Sequence, residues 1–173
     1  MFVPQLCLDS PPRRARAPLF LMGVALIVGC GDSPVAPAGP FDEVEYGNLT
    51  YQIKQVIVAE SFPIQIGVTV GVRNQTAVIQ SVAYPDGCVV LMRAYGESPA
   101  PVWDLGNSRA CTQALVERDV QPGEEIDFVV DLVSAGTILG NDLPSGEYRL
   151  TAYLRPDGDV VELEMGRFDL GQP

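Results

Sequence analysis

No histidine occurs anywhere in the 173 residues, and Lys54 is the only lysine. The first absence removes serine–histidine and cysteine–histidine nucleophile pairs, histidine general bases and histidine metal sites together. Cationic clusters are missing too. Apart from Arg13, Arg14 and Arg16, the basic side chains are scattered along a chain of formal net charge −11. Nothing therefore offers a phosphate backbone the counterion-releasing surface that nucleic-acid binding needs. There is no G-x-S-x-G, no H-E-x-x-H, no Gly-rich phosphate loop and no C-x-x-C. No long window carries helical periodicity. These absences predict no enzyme, no cofactor and no metal, and the length suits one ordinary domain.

What is present begins with a leader. The arginines at 13–16 precede the apolar run "LFLMGVALIVG", Leu19–Gly29, which has the length of a signal h-region and is too short to span a bilayer as a helix. It ends in "IVGC", Ile27–Cys30, which resembles a bacterial lipobox. That resemblance implies cleavage before Cys30, lipidation of Cys30 and export to the cell envelope; the other reading is an ordinary secretory signal. Multiple acyl chains on Cys30 would anchor the chain stably in a membrane. "GDSPVAPAGP", Gly31–Pro40, reads as an extended tether. The expected organisation is a signal peptide over 1–29, the lipidated cysteine and linker over 30–44, and one folded domain over 45–173.

Within that domain the apolar period is two. In "IQIGVTVGVR" Ile64, Ile66, Val68, Val70 and Val72 share one face, which a half-buried strand allows and a helix does not. The pattern returns at Ile126, Phe128, Val130 and Leu132, at Tyr148, Leu150, Ala152 and Leu154, and at Val161, Leu163 and Met165. Between these runs stand turn sequences, "RNQT", "YPDG", "QPGE", "LPSG" and "RPDG", in which proline presets one torsion and glycine supplies a positive φ. Short strands punctuated this way predict an all-β, antiparallel sandwich of about 7–9 strands.

The order of several pieces is similar to the intracellular proteinase inhibitor (BsuPI) family: Asn74 closing a strand, Val102–Trp103, Gln113–Ala114–Leu115 opening another, the Pro122–Gly123–Glu124 turn, Phe128, and Gly146 with Tyr148. The resemblance covers roughly residues 64–155. It implies an immunoglobulin-like sandwich and proteinase inhibition.

Four groups are candidate functional residues. With the leader removed and Cys30 lipidated, Cys88 and Cys111 are the two thiols left. In an oxidising compartment they are expected to pair, closing a loop of about 24 residues worth about 3 kcal/mol. The alternative is a reactive thiol beside Arg109. Trp103 is expected to anchor the core or its edge; the alternative is a ligand platform. Asp104, Asn107, Asp157 and Asp159 carry oxygen atoms suited to calcium, but without the alternating spacing of a calcium loop they read as turn residues. An inhibitor needs an exposed loop. The candidates are Gly96–Pro101 and Ser134–Gly146, where Thr137, Ile138 and Leu139 form an apolar cluster able to enter a protease pocket or, alternatively, to cap the sandwich. The expected function is a membrane-tethered, non-enzymatic binding domain with a serine protease as partner. The alternative is an envelope structural or assembly lipoprotein that contacts another envelope protein.

Overall fold

The central strand, Gln65–Asn74 (β3), buries Ile66, Val68, Val70 and Val72 completely, as the alternation of its sequence dictates. The computed structural model describes residues 42–171. The expected signal peptide, Cys30 and most of the linker lie outside the described residues. β3 is flanked by Leu49–Ala59 (β2) and Glu125–Ser134 (β8), and Glu43–Tyr46 (β1) completes an antiparallel sheet of order β1-β2-β3-β8. A second antiparallel sheet has the order β10-β9-β5-β6, from Val161–Leu170 (β10), Gly146–Leu154 (β9), Val90–Tyr95 (β5) and Trp103–Asp104 (β6). Gln80–Tyr84 (β4) and Val116–Val120 (β7) pair separately. The inward faces of both four-stranded sheets meet in one apolar core, so the fold is an all-β sandwich. Contacts join β1 to β10 at one side of it and β5 to β8 at the other.

Two features fix the corners. The Tyr148 hydroxyl donates to the Pro144 carbonyl at 2.7 Å, the tyrosine corner of immunoglobulin-like sandwiches. Asn74 is fully buried and its amide donates to the carbonyls of Val78 and Val120 at 2.7 and 2.9 Å.

Three bulges explain where simple alternation fails. On β8 the register gains a residue between Val130 and Val133, so Leu132, expected inward, is 45% exposed and Val133 turns in instead. On β10 the extra residue is Met165, after which Phe168 and Leu170 take over the core face. On β2 it is Lys54. The stem of that lone lysine crosses Gly71, where a Cβ would stand 2.7 Å from the lysine Cδ. Its ammonium reaches Glu125 at 2.5 Å and Asp127 at 2.9 Å.

The hydroxyls of Tyr51 and Tyr84 are buried beside each other and have no other hydrogen-bond partner among the described residues. Burial, first of all, raises both pKa values, Tyr84 to about 12. Removing both members of a buried hydroxyl pair that has no other partner leaves no polar group stranded and is neutral or stabilising. The double variant Tyr51→Phe, Tyr84→Phe is therefore expected to melt at the same temperature as the wild type or higher. A clear drop in a thermal scan would contradict this.

Candidate functional site

Between β6, in the second sheet, and β7, in the separate β4–β7 pair, runs a connection whose backbone is both exposed and constrained. It starts with Leu105–Ser108 (α1), a single turn. Asp104 caps it, accepting from the Gly106 N–H at 2.8 Å. Leu105 is buried. The second oxygen contact of Asp104 comes from the Tyr153 hydroxyl at 2.8 Å, and its other oxygen takes Arg93 Nε at 2.8 Å. Only a glycine fits at 106, because a Cβ there would lie 2.8 Å from the Tyr153 hydroxyl.

This capped turn belongs to a polar layer on the outer face of the second sheet. The Arg93 guanidinium stacks on Tyr153 at 3.8 Å, and Arg149 on Tyr95 at 4.2 Å. Glu162 accepts from Tyr95 at 2.5 Å and from Thr151 at 2.6 Å. Burial alone would raise the Asp104 carboxyl. The hydrogen bonds from Arg93, Tyr153 and Gly106 outweigh it and hold the group below its ordinary 3.8. A carboxyl whose folded pKa is depressed contributes stability above its unfolded pKa and loses it as pH falls through the folded value. The wild type is thus expected to lose stability as pH drops below about 4, and Asp104→Asn to show a shallower loss over that window. Urea unfolding at pH 6 and pH 2.5 checks it; equal slopes would contradict it.

After α1 the segment Arg109–Leu115 has no regular structure. Every residue in it is exposed except Cys111, which is half-buried. It is not slack. Cys111 is bonded to Cys88, and one residue on the Thr112 carbonyl accepts from the Gly87 N–H at 2.9 Å. A Cβ at Gly87 would fall 2.1 Å from Thr112 Oγ1, so a larger residue there has to turn the threonine hydroxyl aside. A cleft of about 410 Å³, lined by Arg93, Asp104, Tyr153 and Arg155, lies on one side of the segment. A second, of about 280 Å³ and lined by Cys88, Val90, Arg118 and Phe128, lies on the other. Arg109 borders both. Asp86 pairs with Arg155 and caps the Cys88 N–H.

Several sequence expectations need restating. Gln113–Leu115 does not open a strand; β7 starts at Val116, opposite Tyr84. Trp103 is half-buried and packs against the core from its edge on β6. The loop Ser134–Gly146 does not offer its apolar cluster to a protease. Ala135–Leu139 forms a helical turn (α2) capped by Ser134 Oγ, and Ile138 and Leu139 are each 1% exposed. Only Thr137 faces solvent, and its N–H is engaged by that cap. The cluster closes the sandwich because two adjacent apolar residues on a short helix both find the core. Asp159 accepts from the Tyr46 hydroxyl and Asp157 from the Ala83 N–H, so both are turn and corner ligands. Among the described residues the one group with metal-ligating reach is Asp86, Cys88 and Cys111, and its two sulfurs are bonded to each other.

Comparison with known proteins adds one finding. The model of the BsuPI family, described as intracellular proteinase inhibitor, matches residues 50–158, a span that contains β3, the disulfide and the whole Arg109–Leu115 segment. No curated protein matches the chain significantly.

Proposed function

Because the chain belongs to the intracellular proteinase inhibitor family, we propose that it is a non-enzymatic proteinase inhibitor that presents Arg109–Leu115 to its target. The observation that carries this reading is the clamp. An exposed stretch of chain is fixed at its middle by the Cys88–Cys111 bond and the Gly87–Thr112 hydrogen bond. Its ends are fixed by the buried Leu105 and by β7. A protease binds its ligands extended, and a loop already held in shape loses little conformational freedom on docking. Neither Gly96–Pro101 nor Ser134–Gly146 contains a cysteine, so no disulfide fixes either loop.

The reading includes the leader: export, lipidation of Cys30 and attachment to the envelope membrane. A tether of that kind would join the domain at β1. β1, where the described chain begins, is an edge strand against β10, whereas Arg109–Leu115 lies at the β5/β8 side. A tether entering at β1 leaves the inhibitory side free. The full chain titrated against a panel of serine proteases tests the function. Stoichiometric, tight inhibition of at least one of them is expected, and no inhibition at micromolar concentration by correctly folded, oxidised protein would overturn it.

A further inference from the structure

Resting on the loop assignment above, we infer that Leu115 is the specificity-determining side chain and that the target is an endoprotease with a deep apolar primary pocket. The main chain supports this position. The Arg109 N–H is committed to the Leu105 carbonyl at 2.9 Å, and the Thr112 carbonyl to Gly87. Among the described residues, Gln113, Ala114 and Leu115 enter no hydrogen bond of the loops or side chains. They are three consecutive exposed residues outside any helix or strand whose main chain is not committed in the loops, which leaves it available for antiparallel pairing with a partner's backbone.

The side chains narrow the choice. Leu115 is 60% exposed, a large apolar group held on the surface of a strongly acidic chain. Before it stands Ala114, too small to obstruct a neighbouring wall. After it stands Val116, fixed opposite Tyr84 by the β4–β7 ladder. Of the other long side chains in the segment, Gln113 is polar, and Arg109 sits where the backbone is closing α1, its N–H bonded to the Leu105 carbonyl. The bond offered to the protease is therefore Leu115–Val116. Slow hydrolysis would add one water across it, leaving a Leu115 carboxylate and a Val116 amine. β4 keeps that amine in place, and the Cys88–Cys111 bond with the Gly87–Thr112 hydrogen bond holds the chain on the other side of the break. Phe62 is more exposed, at 77%, but it stands on the β2–β3 turn with no cross-link.

The test uses the full, oxidised chain against subtilisin, whose primary pocket is apolar, and trypsin, whose pocket is acidic. Four proteins are compared: wild type, Leu115→Arg, Leu115→Ala and, as a surface control, Phe62→Ala. The wild type is expected to inhibit subtilisin far better than trypsin. Leu115→Arg is expected to weaken the subtilisin complex by about 100-fold and strengthen the trypsin complex, and Leu115→Ala to weaken the first by at least about tenfold. Phe62→Ala is expected to change neither. Unchanged melting temperatures show that the variants fold. If the wild type inhibits subtilisin and both Leu115 variants stay within about threefold of it, the assignment of Leu115 is overturned while the inhibitor reading stands. If the oxidised wild type inhibits neither protease, nor any other with an apolar pocket, the inhibitor reading fails and this assignment with it.

Discussion

Replacing Asn74 by alanine is expected to destabilise the domain by roughly 2–4 kcal/mol. The side chain is completely buried and uses all of its capacity. Its amide donates to Val78 and Val120, and its oxygen accepts from the Thr76 N–H and hydroxyl, both at 2.8 Å. Its own backbone joins the β7–β8 turn, donating to the Glu124 carbonyl at 3.0 Å and accepting from the Gly123 N–H at 2.9 Å. Alanine strands the Val120 carbonyl and the Thr76 N–H, while the Val78 carbonyl keeps the Thr76 hydroxyl as its donor. Each stranded buried group costs about 1–3 kcal/mol. Water entering the vacated volume recovers part of that, which keeps the total below the simple sum. Urea denaturation measures it, with Asn48→Ala as comparison. Asn48 makes one exposed hydrogen bond, to Gln80 at 3.1 Å, and its loss is expected to stay within about 0.5 kcal/mol. A loss below about 1 kcal/mol for Asn74→Ala would mean that the corner is held by something else.

The second large effect concerns the staple. The paired variant Cys88→Ser, Cys111→Ser is expected to lose about 3 kcal/mol of stability, because the bond closes 23 residues of sequence separation. It is also expected to weaken inhibition by at least about tenfold, since Arg109–Leu115 then keeps only the Gly87–Thr112 hydrogen bond at its middle and must be ordered on binding. The two effects separate experimentally. Stability is read by unfolding, and inhibition under conditions where the variant is still fully folded. Wild-type protein treated with a thiol reductant is expected to behave as the variant does. Undiminished inhibition by folded, reduced protein would remove the clamp from the mechanism.

Much of the sandwich was legible because its strands obey one rule. Ile66 to Val72 alternate without interruption, and so do Leu150 to Leu154. Bulges were not legible. Nothing in "FVVDLVS" distinguishes Leu132 from Val133 until β8 is set against β3 and an extra residue has to be absorbed. The pairing of Cys88 with Cys111 followed from how few thiols a processed chain would keep, whereas the loop that the bond clamps did not. "QAL" is expected to open a strand because the family resemblance places one there. The ladder opposite ends at Tyr84, and Pro85 beyond it has no N–H to donate. Leu115 is left in the open for that reason. Ile138 and Leu139 misled in the opposite way. An apolar cluster in a long connection fits a docking loop and a cap equally well, and only the Ser134-capped helical turn decides between them. Asn74 was visible as a residue closing a strand, but its role depends on the carbonyl of Val120, which lies 46 residues away in the chain.

The most direct test is hydrogen exchange of the full, oxidised chain, free and in complex with subtilisin whose catalytic serine is replaced by alanine. Slowed exchange concentrated in residues 109–116, with Gly96–Pro101, Ser134–Gly146 and the Phe62 turn unchanged, is the expected result. Protection centred on any of those three loops, or none anywhere at saturating protease, would contradict the claim that Arg109–Leu115 is the surface this domain offers to its target.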